Sequence, residues 1–242
     1  MTADDSATER TCEATGGRYA VGSFADHFHQ FLRATNPADI QSSLTTIVAH
    51  PRKPNQWIGG MVEELRAHGF AIARSGTSDL REKLLVIEER WLLLGINLVK
   101  NGRGGEGVGV LSSLYAFLRE YDIEFQRWHK GTAAWHLADS LYAEGRVAES
   151  RSVFLLALIE DCFEELSKGA TDAAAVEGGG AYQSLSTLFD LPRQEVNEIV
   201  SSCFQEARRA SPWNPTDPER TYLSTFCKTA WLGDSRPRLF PQ

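Results

Sequence analysis

The stretch Leu80-Arg81-Glu82-Lys83-Leu84-Leu85-Val86-Ile87-Glu88-Glu89-Arg90-Trp91-Leu92-Leu93-Leu94-Gly95-Ile96-Asn97-Leu98-Val99-Lys100-Asn101-Gly102 decides the fold class. Within it Leu80, Leu84, Ile87, Trp91, Leu94 and Leu98 recur in steps of four and three, the spacing that stacks side chains on one face of an α-helix. A strand would alternate with a period of two, and this run does not. Asp79 with Glu82 three residues on forms a capping-box-like start, and Asn101-Gly102 supplies the stop. The reading is one long helix with a buried stripe, Glu88, Glu89 and Arg90 being left for its other faces.

The same period extends in both directions. Downstream, the glycine-rich segment from Gly102 to Gly109 reads as a turn, after which Leu111, Leu114, Tyr115, Leu118 and Phe125 restart the helical pattern. Trp135, Leu137, Ala138, Leu141 and Tyr142 form another face, ended by Glu144-Gly145-Arg146. Val153, Phe154, Ala157, Leu158 and Cys162 follow, with Glu149 and Arg151 left to solvent. Upstream, Phe24, Phe28, Phe31 and Leu32 make a short amphipathic helix that Asn36-Pro37 ends, and Ile40, Leu44, Ile47 and Val48 a second. His50 to Asn55 breaks the chain; Met61, Val62 and Leu65 suggest a further short helix, and Phe70 to Ala73 a lone short strand. Past an alanine- and glycine-rich linker at 168–180, helices resume at Tyr182, Leu185, Leu188 and Phe189. They continue from Pro192 through Val196, Ile199, Val200, Cys203 and Phe204, and again from Asp217-Pro218 through Tyr222, Leu223, Phe226 and Ala230. The expected organisation is a mobile tail over 1–20, an N-terminal helical segment over 21–76, a helical core over 77–167, the linker, and a C-terminal helical segment over 181–242. The expected fold is all-α.

Composition narrows the function classes. The chain has 242 residues, 42% hydrophobic and 24% charged, which suits a globular domain and excludes a collagen-like or mostly disordered chain. A formal net charge of -7 argues against a broadly basic nucleic-acid coat. Cys12, Cys162, Cys203 and Cys227 are far apart with no C-x-x-C pair, so reduced thiols are expected and no metal ligands are assigned. The start Met1-Thr2-Ala3-Asp4-Asp5 lacks the basic residues and apolar run of a secretory signal. The longest apolar run, Val153 to Ile159, is far short of the roughly 20 residues needed to span a bilayer. A cytoplasmic protein with no membrane partner is the expectation.

Two segments of the core resemble tetratricopeptide repeats. The first runs Trp91-x2-Leu94-Gly95-x2-Leu98 and then Gly107-x3-Leu111-x2-Leu114. The second runs Ala134-x2-Leu137-Ala138-x2-Leu141 and then Ser150-x3-Phe154-x2-Ala157. Both carry the large/small packing pattern of that family, and the turn glycines Gly102 and Gly145 follow Leu94 and Leu137 at the same distance. The resemblance covers about residues 80–166. It departs from the family in spacing, because Leu94 and Leu137 lie 43 residues apart rather than about 34. Gly107 and Ser150 stand where the family has alanine, and no proline ends either unit. The resemblance implies stacked antiparallel helical hairpins with flanking helices, and a protein-binding surface lined by the first helix of each hairpin. On that surface it places Glu89, Arg90, Asn97, His136 and Asp139, with a protein partner or a second copy as the ligand.

Other motifs point to weaker alternatives. Gly102-x-Gly104-x2-Gly107 fits a dinucleotide fingerprint literally, but a helix precedes it where a strand is required, so no cofactor is assigned. Arg127-Trp128-His129-Lys130, with His136 nearby, is the densest basic-aromatic cluster, of the kind that stacks and neutralises RNA. Arg127, Trp128 and His129 therefore join the partner-binding set. A helical HEPN-like ribonuclease using the Arg127 to His136 region is the first alternative, although Arg127 lies too far from His136 and too near His129 for that family's spacing. His27 and His29 point to different helix faces, and Glu160-Asp161 with Glu164-Glu165 reads as a solvated carboxylate face. The second alternative is a helix-turn-helix DNA regulator, with a turn at Asp190-Leu191-Pro192 and Arg193, Gln194 and Asn197 offered to a groove. Glu195 and Glu198 on the same helix would repel phosphate, which ranks nucleic acid below a protein partner. No catalytic residue is assigned.

Overall fold

A computed structural model describes residues 9–11, 18–20, 24–49, 67, 80–120 and 128–210. The described residues are helical apart from one antiparallel pair of three-residue strands, β1 (Glu9–Thr11) and β2 (Arg18–Ala20), which lies within the stretch expected to be a tail. The chain forms two compact units, Met1–Val110 and Leu111–Gln242. The capping pair at Asp79, the break after His50, the helix near Met61, the strand at Phe70 and the helix after Asp217 all lie outside the described residues.

In the first unit, α1 (Phe24–Arg33) and α2 (Pro37–Ala49) pack on each other and on α3 (Leu80–Lys100). Asn36 sits before Pro37 and its side-chain oxygen accepts from the Asp39 N–H at 2.8 Å, which satisfies a donor at the exposed start of α2. The core is Phe28, Phe31, Leu44, Ile47, Ile87, Trp91, Leu94 and Leu98. The stripe read from α3 therefore faces inward over its described part, Ile87 to Leu98. Its neighbours Glu88 and Arg90 are also buried, which corrects their assignment to open faces. Arg90 donates to the Ala34 carbonyl at 3.0 Å and Arg103 to the Val48 carbonyl at 3.1 Å. Each arginine thus meets the carbonyl end of a helix, where the helix dipole favours a cation.

The helix α4 (Gly104–Glu120) begins inside the glycine-rich segment, so the expected turn is confined to Asn101-Gly102-Arg103. Four of its first six residues are glycine, and one explains the choice. A β-carbon on Gly107 would lie 2.6 Å from the Gly95 carbonyl oxygen and 2.5 Å from the Val99 Cγ2, so the backbones of α3 and α4 touch there. The indole N–H of Trp91 donates to the Val110 carbonyl at 2.9 Å, a second tie across the same pair.

In the second unit, α5 (Trp128–Ala143) packs along α6 (Val147–Ser167). α6 is buried on all sides from Val153 to Glu160, as expected of a helix with no polar face over that span. A short 3-10 segment (Ala173–Val176), α7 (Gly180–Leu188) and α8 (Arg193–Ala210) all pack on α6. The stretch read as a linker thus holds a helical turn whose Val176 is buried. Arg151, expected in solvent, is half-buried with its guanidinium 5.2 Å from the Phe189 ring. Among the described residues no helix is long and apolar enough to cross a membrane.

Candidate functional site

The candidate positions lie on α3 in the first unit and on α5 in the second, the first helix of each hairpin. Each hairpin turn ends its first helix in the same way. At the first, the Arg103 N–H donates to the Leu98 carbonyl at 2.9 Å and the Gly102 N–H to the Val99 carbonyl at 3.1 Å, with Gly102 at φ +73°. At the second, the Arg146 N–H donates to the Leu141 carbonyl at 2.9 Å and the Gly145 N–H to the Tyr142 carbonyl at 2.9 Å, with Gly145 at φ +75°. This is the Schellman arrangement, which needs a left-handed residue that glycine adopts without steric cost. The arginine after each glycine pairs with a glutamate three residues on, Arg103 with Glu106 and Arg146 with Glu149. The Arg146 hydrogen bond holds the Glu149 carboxyl below its ordinary range.

The correspondence continues into the second helices. Where Gly107 abuts the Gly95 carbonyl, Ser150 donates its hydroxyl to the Ala138 carbonyl at 2.7 Å. The two sites are the same position of each hairpin, 43 residues apart, one closed by lacking a side chain and the other by a buried hydrogen bond.

The expected surface residues divide sharply. Glu89 is exposed, its side chain 62% accessible, and Asp139 is exposed as well. Asn97 is half-buried and spends its amide N–H on the Leu93 carbonyl at 2.8 Å. His136 is half-buried against Trp135, with ring centroids 4.4 Å apart. Arg90 is not a surface residue: its side chain is 5% accessible and its guanidinium lies 5.9 Å from the Phe31 ring. Periodicity alone does not mark the apolar content of α3. Leu85, Leu92, Leu93 and Ile96 on this helix are half-buried, and Val86 is 42% exposed. The signal was present in the unbroken run Trp91 to Leu94, where residues on both faces of one helix are apolar.

Of the basic-aromatic cluster, Lys130 and His136 are the members whose side chains are described. Arg127 lies outside the described residues; Trp128 and His129 open α5, and their side chains are outside the description too. Lys130 turns inward and pairs with Glu160 at 3.4 Å, with side chains 3% and 2% accessible. Tyr115 donates to the other Glu160 oxygen at 3.3 Å. This pair is buried and structural, and it removes a lysine from any phosphate-facing surface. It also corrects the solvated reading of Glu160. Asp161 beside it is partly buried, and desolvation together with Glu164, Glu160 and Glu165 pushes its carboxyl up to about 7. Glu164 and Glu165 both engage Lys168, at 2.7 and 2.8 Å.

α7 and α8 do form a helix-turn-helix in outline, with Asp190 at φ 51°, a conformation more usual for glycine. One polar residue of α8 is tied to α7, while Arg193 stays exposed with its side chain 80% accessible. The Asn197 side-chain oxygen accepts from Tyr182 at 2.6 Å, and Arg193 lies 3.5 Å from Glu177. A shallow groove along α8 is lined by Arg193, Gln194, Asn197, Glu198, Ser201 and Ser202, whose charges have opposite signs. Cys162 and Cys203 are buried free thiols, and burial pushes the Cys203 thiol up to about 12, far from a reactive thiolate. Cys12 and Cys227 lie outside the described residues. No family model matches the chain, and no curated protein or solved structure matches it either.

Proposed function

We propose that the chain is a protein-interaction module built from tetratricopeptide-like helical hairpins, each of which offers the outward residues of its first helix, α3 in one unit and α5 in the other, as a docking face. The observation that carries this reading is the repeated turn: the same Schellman bonds, the same arginine–glutamate pair and the same close helix approach recur 43 residues apart. Repetition of one hairpin plan is the hallmark of repeat proteins that bind partners. Exposed Val86 and the half-buried leucines of α3 beside Glu89 supply apolar area next to a charge, a mixture found at protein interfaces. Burial of Lys130 weighs against the ribonuclease reading and the Asn197 bond to Tyr182 against the DNA-regulator reading, since each takes up a polar group of the cluster concerned.

The experiment is an affinity capture from host lysate, split into nuclease-treated and untreated halves, using the wild type and the double variant Leu92→Asp/Ile96→Asp. The reading predicts a protein, or the chain itself, retained after nuclease treatment and lost with the variant. Capture that disappears with nuclease, or that the variant leaves unchanged, contradicts it. Circular dichroism of the variant must match the wild type for the comparison to stand.

A further inference from the structure

The 3-10 segment and the start of α7 form a strap laid across α5 and α6, and its seat is unusual. Three consecutive glycines, Gly178, Gly179 and Gly180, cross the pair. A β-carbon on Gly180 would lie 2.9 Å from the Trp135 ring, and one on Gly179 would lie 3.5 Å from the Asp161 Oδ2. On the opposite side, a β-carbon on Gly131 of α5 would collide with the Asp161 Oδ1. The Asp161 carboxyl therefore sits between two glycine backbones from different elements. Among the described residues no side chain is hydrogen-bonded to it.

We propose that Asp161 is a pH-sensitive clasp for this strap: protonated, its neutral carboxyl fits between Gly131 and Gly179, and ionised, it drives the strap away from α5 and α6.

The surroundings oppose the charged form. On α6 itself, Glu160, Glu164 and Glu165 repel it and Lys168 alone attracts it, while Lys168 is already held by Glu164 and Glu165. From α5, Lys130 is turned to Glu160. From α4, Tyr115 also meets Glu160. The strap brings Asp172, which caps the 3-10 segment, and Glu177, which faces Arg193 of α8. Lys168, shared with two glutamates, is thus the cation that offsets Asp161 among these neighbours, and it offsets only part of the repulsion.

The sign follows from linkage. A carboxyl raised to about 7 in the seated form and ordinary, near ~4, in the open form favours the seated form at low pH. That advantage is lost as pH rises from ~4 to about 7, and above about 7 it is gone. The other strap contacts, Trp135 to Ser184 at 3.0 Å and Tyr142 to the Leu188 carbonyl at 3.0 Å, limit the change to a larger open population. Opening bares Trp135 and Val176.

Amide hydrogen exchange of the full chain tests this. Corrected for intrinsic rates, protection at residues 183–188 should fall about tenfold from pH 6 to pH 8, while residues 196–206 of α8 hold theirs. In Asp161→Asn the strap should show no such pH dependence. A flat wild type, or a dependence that survives in the variant, overturns the clasp. Should Asp161→Asn not fold, carbon-13 titration of the wild-type carboxyls decides: an Asp161 midpoint near 7 supports the clasp, and one near 4 overturns it.

Discussion

Gly107 and Ser150 hold the same place in two hairpins and solve one packing problem differently. Gly107→Ala must push a methyl group into the Gly95 carbonyl and Val99, and should cost about 1–3 kcal/mol in urea denaturation. Gly109, in the same helix with nothing within 4 Å of its β-position, is the control: Gly109→Ala should gain up to about 1 kcal/mol from helix propensity. Equal effects at the two positions would contradict the close approach. Ser150→Ala leaves its volume nearly unchanged but removes a buried hydrogen bond, for an expected loss of about 1–2 kcal/mol. Glu88 offers a pH test at this scale. Burial pushes its carboxyl up to about 8, against ~4.3 in the unfolded chain, so the folded form holds the extra proton between those values. Stability is therefore lost as pH rises from ~4.3 to about 8, and Glu88→Gln should raise Tm more at pH 8 than at pH 5.5. A rise of the same size at both pH values would show that Glu88 is not the titrating group.

At the scale of elements, the helix ends carry the argument. Gly102 and Gly145 share a left-handed conformation at equivalent turns, so Gly102→Ala and Gly145→Ala should each cost about 1–2 kcal/mol. Costs that differ widely between the two would mean that the turns are not equivalent. These ends were legible in the sequence, since Asn101-Gly102 and Glu144-Gly145 close runs of period 3.6, and so were the buried faces of α3, α5, α6 and α8. The start of α4 was not. Its glycines resemble turn residues by type, and only the proximity of Gly95 and Val99 explains why Gly107 stands within a helix. The fates of Arg90 and Lys130 were equally hidden, because periodicity places a long cation on a face without showing which distant acceptor it reaches. Arg90 reaches a helix end 56 positions earlier in the chain, and Lys130 reaches a glutamate on the next helix.

At the scale of the molecule, the two hairpin turns share one plan, and the docking reading rests on what their first helices present outward. Of the expected surface set, Glu89 and Asp139 are the exposed members, while Asn97 and His136 are half-buried. The most direct test places a photo-crosslinking amino acid at Glu89, at Asp139 and, as a control, at Arg209 on α8, whose side chain is 73% accessible. Irradiation in host cells should join a protein, or a second copy of the chain, to the probes at Glu89 and Asp139, and not to the probe at Arg209. Crosslinks that form only from Arg209, or equally from all three positions, would contradict docking through the first helix of each hairpin.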